Sequence, residues 1–165
     1  MVVAKSQEAL VNLQLQIKNK IASRNYLAVI HGVPNNCEGK IIGNIGRNPN
    51  DRKKYTVVEE DSGKYACTNW KLIEKIGNYS LMSFKLDTGR THQIRVHCAY
   101  IKHPILGDPL YGRCKKLPCN LSGQALHANK LGLIHPINGN KMIFEAELPQ
   151  EFKKLLKTIK NLINI

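Results

Sequence analysis

Apolar residues recur at helical spacing near both ends of the chain. After Ser6, a favoured N-cap residue, they recur every three or four positions to about Lys20, which predicts a helix whose apolar face belongs to the core. That face consists of Ala9, Leu10, Leu13, Ile17 and Ile21. Pro149 suits the first turn of a second amphipathic helix. Its apolar stripe consists of Phe152, Leu155, Leu156, Ile159, Leu162 and Ile163.

Between these helices the pattern changes to short apolar or alternating runs, which predict strands. The predicted strands are residues 1–5, 24 to about 32, 39–47, 53–58, 64–73, 79–86, 128–134 and 141–148. The loop 48–52 joins two strands as a hairpin, and residues 74–78 join another two. A further helix is predicted over 91–101, after the turn signal Asp87-Thr88-Gly89. This order allows one α/β domain over residues 1–165, without a repeat or a linker.

Charge indicates the kind of partner. Lys and Arg number 25 against 12 acidic residues, giving a net charge of +13 that is spread along the chain. Such a field favours a polyanion, RNA in the first place, over a merely basic surface. The sequence contains neither a run long enough to span a bilayer nor a signal peptide, so we expect no membrane attachment and a cytoplasmic location. The five scattered cysteines fit reduced thiols, and no metal site is expected.

Candidate chemistry concentrates in residues 86–112, which read L-D-T-G-R-T-H-Q-I-R-V-H-C-A-Y-I-K-H-P-I-L-G-D-P-L-Y-G. Arg90 and Arg95 lie near the start of the predicted helix. A helix N-terminus has free N–H groups, and a guanidinium can grip a carboxylate or phosphate with two parallel hydrogen bonds. The stretch therefore predicts an anionic partner.

Several motifs of this stretch together resemble those of the RluA family of RNA pseudouridine synthases, which isomerise uridine in ribosomal or transfer RNA. They are G-R-T-H-Q-I-R-V-H at 89–97, H-P-I at 103–105, G-D-P-L-Y-G at 107–112, G-Q-A-L-H-A at 123–128 and H-P at 135–136. Their order and spacing match the family over essentially the whole chain. The resemblance implies an α/β fold of the α+β type, a mixed and mostly antiparallel sheet with packed helices. It also implies RNA as partner and a reaction that needs no cofactor.

The resemblance also indicates what this chain lacks. In the family the catalytic aspartate sits in an H-R-L-D segment, followed by T-S-G and a strand resembling V-V-A-K. Here V-V-A-K is residues 2–5, so the position of the nucleophile lies upstream of Met1 and the chain corresponds to the later part of the catalytic domain. The acids Asp51, Asp61, Asp87 and Asp108 are interpreted as turn or surface residues, not replacements. We expect this chain alone to be inactive.

Two residues carry catalytic roles by resemblance. Arg95 pairs with the catalytic aspartate and holds it ionised, for which a planar guanidinium is suited. Without that partner Arg95 would be an uncompensated charge, so the site is expected to be open, hydrated or filled by an anion. Tyr26 lies against the target base, with Arg24 where the family usually has Lys; the alternative is a half-buried strand tyrosine.

RNA contacts are predicted at two places. Arg90, His92 and Gln93 are expected to line the wall beside Arg95 and to contact the RNA backbone or the flipped nucleotide. For His92 and His97 the alternative is a hydrogen-bonded helix histidine.

The second place consists of basic loops. Arg47, Arg52 and Lys53 flank the hairpin loop, and Lys115 and Lys116 lie in a turn-rich segment. They are candidates for phosphate contacts, although a solvated charged loop is an alternative.

Three hypotheses follow for the protein as a whole. It is a pseudouridine synthase whose N-terminal part is missing from this chain, a non-catalytic basic RNA-binding remnant, or one half of a split enzyme whose separate second chain supplies the aspartate. The first is favoured. The sequence leaves the oligomeric state open.

Overall fold

A seven-stranded sheet and three helices make up the part of the chain that the computed structural model describes, residues 2–112 and 117–162. In chain order the elements are α1 (Gln7–Lys18), β1 (Ser23–His31), β2 (Glu38–Arg47), β3 (Tyr55–Val58), a single 3-10 turn (Glu60–Ser62), β4 (Lys64–Ile76), β5 (Tyr79–Leu86), α2 (Gln93–Tyr100), β6 (Leu126–Ile134), β7 (Lys141–Glu145) and α3 (Gln150–Asn161). The strand order is β3-β2-β4-β5-β1-β6-β7, and all neighbouring strands are antiparallel. The predicted fold class is confirmed.

The main core lies between the central strands and the helices α2 and α3. Strand β5 alternates Met82, Phe84 and Leu86 into this core, and α3 adds Phe152, Leu155 and Ile159. Each fully buried side chain of this size contributes about 1.5–3 kcal/mol to stability. The apolar stripe predicted for α3 is therefore confirmed at its buried positions. No helix within residues 2–112 and 117–162 is long and apolar enough to cross a membrane.

The chain after α2 folds back onto the sheet. Pro104 accepts a hydrogen bond from the N–H of His31 (2.9 Å), and the N–H of Leu106 donates to Val29 (2.8 Å), so residues 104–106 pair with the end of β1. Gly107 follows with φ of 75°, a conformation that favours glycine. This return brings Asp108 next to α2.

The sequence pattern misjudged the N-terminal region. Residues 2–5 lie outside the strands of the structure, so the predicted strand over 1–5 is wrong for them, and Met1 falls outside the described residues. Helix α1 begins after Ser6 as predicted, with the Ser6 hydroxyl accepting from the N–H of Ala9 (3.2 Å). Its predicted core face is only partly buried.

Helix α1 exposes apolar side chains on its outer surface. Ala9 and Gln16 are buried, and the Gln16 amide bonds to both the N–H and the C=O of Ile134 on β6. The exposed apolar residues, which include three predicted core positions, are Leu10, Val11, Leu15, Ile17 and Ile21. We call these five residues, the last of which follows the helix, the outer apolar surface of α1. Each of them is at least 41% exposed within the described chain.

Other predictions hold with shifted boundaries. Strand β4 continues to Ile76, so its hairpin with β5 turns on Gly77 and Asn78 alone, with Gly77 at φ of 56°. Strand β7 ends at Glu145, earlier than predicted. Lys115, Lys116 and Ile163 lie outside the described residues.

Leu155→Ala tests the assignment of core and surface. Leu155 is fully buried, so its truncation should lower the free energy of unfolding by about 2–5 kcal/mol. Leu15→Ala is the matched control on the outer apolar surface, where the cost should stay within about 0.5 kcal/mol. Urea denaturation of both variants measures the difference. Equal losses would contradict the assignment.

Candidate functional site

The turn between β5 and α2 is held by the side chain of Gln93. Its Nε2 donates to the carbonyl of Cys67 (3.0 Å) and to Oγ1 of Thr68 (2.9 Å), while its Oε1 accepts from Thr88 Oγ1 (2.8 Å) and the N–H of Arg90 (2.9 Å). Gln93 is buried. It fastens α2 to β4, and the RNA contact predicted for it is not available in this arrangement.

Arg95 forms a two-pronged ion pair with Asp108. Its Nε donates to Oδ2 (2.8 Å) and its Nη2 to Oδ1 (2.7 Å), and the side chains are 10% and 0% exposed. The guanidinium also lies over the ring of Tyr111, 5.1 Å from its centroid. Oδ1 of Asp108 further accepts the N–H groups of Leu110 (2.9 Å) and Tyr111 (3.0 Å). Both charges are therefore compensated inside the protein.

This pair shifts the pKa of both members. Burial alone raises the pKa of Asp108, but the hydrogen bonds from Arg95, Tyr111 and Leu110 outweigh it and hold the pKa below its ordinary value. The hydrogen bond to Asp108 raises the pKa of Arg95 in turn. Asp108 is thus ionised at neutral pH and Arg95 remains a fixed cation.

The expectation for an unpartnered Arg95 is corrected in this way. Asp108 supplies the anion, and it is not merely a turn or surface residue, although it does bond the turn that follows it. The pairing was missed because the partners are 13 positions apart in the sequence, across the rest of α2 and the return loop, so no helical or strand periodicity connects them.

His92 and Tyr111 continue the polar network beside Arg95. Nδ1 of His92 is 3.0 Å from the hydroxyl of Tyr111, which also accepts the N–H of Tyr55 (2.9 Å). Burial, followed by the charge of Arg95, lowers the pKa of His92, so the ring is neutral at pH values near 7. A neutral ring with its proton on Nε2 lets Nδ1 accept from the Tyr111 hydroxyl.

His97 agrees with the alternative of a hydrogen-bonded helix histidine. It is fully buried, and its Nδ1 lies 2.9 Å from Oγ1 of Thr68. Burial lowers its pKa to about 4. Its ring lies between α2, to which it belongs, and β4.

A basic cavity brings together two of the predicted RNA contacts. Arg47 and Arg90 line it with Lys64 and Tyr55. Arg47 lies over the Tyr55 ring, 5.3 Å from the centroid, and Nε of Arg90 donates to the carbonyl of Tyr65 (2.9 Å). These contacts hold two cations at one opening.

The hairpin loop carries the other predicted contacts that the structure describes. Arg52 and Lys53 are exposed there, and Nη1 of Arg47 donates to the carbonyl of Arg52 (2.9 Å). The loop itself is held by Asn48, whose Oδ1 accepts the N–H groups of Asn50 (2.9 Å) and Asp51 (3.1 Å).

Tyr26 is placed by β1, not by α2 or the loop that carries Asp108. It is half-buried on β1, between Phe84 of β5 and Ala128 of β6, and lines a second cavity with Arg24. The Arg24 guanidinium rests against Gly89, where a Cβ atom would displace it. Arg24 therefore connects the Tyr26 cavity to the turn before α2, a role that the sequence signalled only by its place two residues before Tyr26.

Comparison with known proteins agrees with these observations. A family model described as RNA pseudouridylate synthase matches residues 1–100. An uncharacterized RNA pseudouridine synthase of Synechocystis sp. is 48% identical over 157 residues, which cover 94% of this chain and 48% of that protein. The ribosomal large subunit pseudouridine synthase D of Zymomonas mobilis is 40% identical over 165 residues, 96% of this chain and 52% of that protein. The chain thus spans about half the length of these relatives.

Solved structures share the fold. Human RNA pseudouridylate synthase domain containing 4 superposes with a TM-score of 0.76 at 23% identity, over 97% of this chain and 70% of that one. Human RNA pseudouridylate synthase domain containing 1 gives 0.73 at 24% identity, over 96% and 74%.

Asp108→Asn should lower the free energy of unfolding by about 3–5 kcal/mol near pH 7, because it leaves Arg95 buried without its anion. The folded-state pKa of Asp108 is depressed, so its contribution is complete above the unfolded pKa of about 3.9 and is lost as pH falls through the folded value. The gap between wild type and variant should therefore narrow below about pH 4 in denaturation curves.

Asp61→Asn, on the surface, is the control and should change little at either pH. The double variant Arg95→Met/Asp108→Leu should recover part of the stability, since it removes both charges but leaves the N–H groups of Leu110 and Tyr111 without their acceptor. A gap that persists unchanged in acid would contradict the assigned role of the carboxylate.

Proposed function

The chain belongs to the RNA pseudouridylate synthase family, and from this premise we propose that it forms the later part of an enzyme that isomerises uridine to pseudouridine in ribosomal or transfer RNA. The observation that carries the proposal is the guanidinium of Arg95, held by Asp108 through Nε and Nη2. That geometry orients the Nη1 edge for a second carboxylate. The catalytic acid then comes from a segment outside residues 1–165.

The reaction defines what each group must do. The bond between uracil N1 and the ribose C1′ breaks, the base turns, and C1′ is joined to C5, which gives up its proton while N1 regains one. A carboxylate near C1′ acts as nucleophile or base and must be ionised. Arg95 lowers the pKa of that carboxylate and fixes its direction. Tyr26 lies against the base and is a candidate to exchange the proton near C5. No cofactor takes part.

A fixed cation is more useful here than a mobile one. Asp108 and the Tyr111 ring restrict the guanidinium of Arg95 before any acid arrives. Less conformational entropy is then lost when the acid binds, which is the advantage of preorganised groups in catalysis. Asp108 is a positioning residue in this scheme, since it acts through Arg95.

The outer apolar surface of α1 is an argument that the working enzyme contains a further polypeptide segment. Leu10, Val11 and Leu15 are exposed on a helix that packs on β6 with its opposite face. The relatives are about twice as long as this chain, and their additional segment is the occupant we propose. It is either joined to this chain or a separate chain, as in a split enzyme.

RNA binding without catalysis is the second candidate function. The basic cavity of Arg47, Lys64 and Arg90 and the net charge of +13 both belong to this chain. Phosphate contacts of this kind give affinity without reading sequence. A non-catalytic RNA-binding protein would keep the cavity and would not need the geometry of Arg95. We place either function in the cytoplasm.

A fused protein tests catalysis. The part of the Synechocystis relative that precedes the matched region would be joined to residue 1 of this chain, and tritium release from RNA containing 5-tritiated uridine would be measured. The fusion should release tritium and the 165-residue chain alone should not. Arg95→Ala in the fusion should reduce turnover by about 10²-fold or more, since it removes the counter-ion of the acid.

Lys157→Ala in the fusion is the control, because Lys157 is an exposed cation on α3, outside the predicted RNA contacts; turnover should be retained. Circular dichroism verifies that both variants fold. Full activity of a folded Arg95→Ala fusion would refute the role of Arg95, and release by the chain alone would refute the need for an outside acid.

RNA affinity of the chain alone should fall steeply with salt, because each neutralised phosphate releases a counterion. Arg90→Ala should weaken binding and reduce the slope of log affinity against log salt by about 1. Lys157→Ala, an exposed cation on α3, is the matched control and should leave the slope unchanged. Fluorescence anisotropy with a labelled RNA hairpin measures both. A flat salt dependence would refute RNA as the partner of this charge.

A further inference from the structure

Two buried polar atoms near Tyr26 are without a hydrogen-bond partner in the described part of the chain. They are Nε of Arg24, a donor, and Oδ1 of Asn129, an acceptor. Leaving a buried polar group unsatisfied destabilises the folded state, so such atoms are uncommon in folded proteins and call for an explanation. Arg24 and Asn129 line the same cavity, which also contains Tyr26.

A β-bulge positions Asn129 in this cavity. Asn25 lies opposite Lys130 and Tyr26 lies opposite Ala128, so Asn129 is the extra residue of β6. Its backbone is fixed because its carbonyl accepts the N–H of Ala146 (2.9 Å). A bulge redirects a side chain and is over-represented beside active sites. The irregularity thus falls at the strand position that pairs with Tyr26.

The unpaired donor and acceptor indicate the chemistry of the ligand. It must offer an acceptor to Arg24 and a donor to Asn129, and it must be flat enough to lie against the ring of Tyr26. Lys130, the other cation that lines the cavity, is already paired with Glu145 (2.6 Å), so among the described lining residues Arg24 is the cation left for the ligand. A fully ionised phosphate would accept from Arg24 but offers no donor to Asn129. A nucleobase edge, with a carbonyl beside an N–H, satisfies these requirements.

We propose that Arg24 and Asn129 read the Watson–Crick edge of the flipped uracil: Nε of Arg24 donates to a uracil carbonyl, and Oδ1 of Asn129 accepts the N3–H, while Tyr26 lies against the face. Other bases also present a donor beside an acceptor, and the choice of uracil rests on the proposed function. Asn129 is then a specificity-determining residue, and Arg24 joins base recognition to the turn at Gly89.

Nuclear magnetic resonance of the isotope-labelled full chain tests this proposal. Uridine 5′-monophosphate should shift the signals of Arg24 Nε–H and of the Asn129 side-chain amide. The N3-methylated nucleotide, which lacks the donor, should bind about tenfold more weakly or worse, because a buried acceptor stays unpaired. Inorganic phosphate should leave both signals unmoved.

Variants distinguish recognition of the base edge from a general loss of nucleotide affinity. Asn129→Ala should weaken binding of uridine 5′-monophosphate about tenfold and should remove the penalty of N3-methylation, since the two changes delete the same contact. Asn161→Ala, at the exposed end of α3, is the control and should behave as wild type. Equal affinity of wild type for the nucleotide, its N3-methyl form and phosphate would overturn the proposal.

The fused protein distinguishes this proposal from the function on which it rests. If the fusion forms pseudouridine and Asn129→Ala leaves both its kcat and its KM unchanged, base reading by Asn129 is refuted while the enzyme function stands. If the fusion is inactive but the nucleotide signature is present, the base site stands and the catalytic proposal fails. Signals already shifted in the fusion, and unresponsive to nucleotide, would mean that the added segment fills the cavity, which also refutes base reading.

Discussion

Helix α2 buries six consecutive side chains, three of them polar, and each buried polar group costs free energy unless it has a hydrogen-bond partner. They are Gln93, Ile94, Arg95, Val96, His97 and Cys98. The Gln93 amide and Nδ1 of His97 form hydrogen bonds with β4, which lies beneath the helix. The partners of Arg95 among the described residues, Asp108 and Tyr111, both belong to the loop that follows the helix. The ion pair with Asp108 is therefore the condition under which α2 can lie between the sheet and the loop.

That condition extends to the rest of the sheet. Asp108 reaches Arg95 because Leu106 pairs with Val29 on one side and accepts the N–H of Ala125 on the other (2.8 Å). Gly107 permits the turn between Leu106 and Asp108, since a Cβ atom at Gly107 would lie 2.6 Å from the carbonyl oxygen of Gly123. The glycines and the aspartate of the central motif thus serve backbone geometry first. Their position next to a fixed guanidinium is what makes the same segment available to chemistry.

Periodicity predicted much of the fold, and the predictions that failed did so for physical reasons. The stripe of α3 and the alternation of β5 were predictable because one neighbouring layer decides which face is buried. The strand over 1–5 and the core face of α1 were not, because an apolar pattern does not distinguish a face packed within the chain from one left open. Arg95–Asp108 depends on a loop reversal without a period. Asn129 escaped notice because a bulge interrupts the alternation that a strand prediction assumes.

Charge balance relates the Arg95–Asp108 pair to the cavity of Arg24 and Tyr26 in the proposed enzyme. Arg95 already neutralises one buried carboxylate, so an incoming catalytic acid would bring the local sum to minus one, and the repulsion by Asp108 would raise the pKa of that acid. A nucleophile must stay ionised, which calls for a second cation. Arg24 lies against the turn that leads into α2 and keeps an unpaired Nε. In the proposed enzyme a guanidinium at this position would add positive potential on the Tyr26 side and would hydrogen-bond the base. Arg95 alone would lower the pKa of the acid less, because its charge is already paired with Asp108.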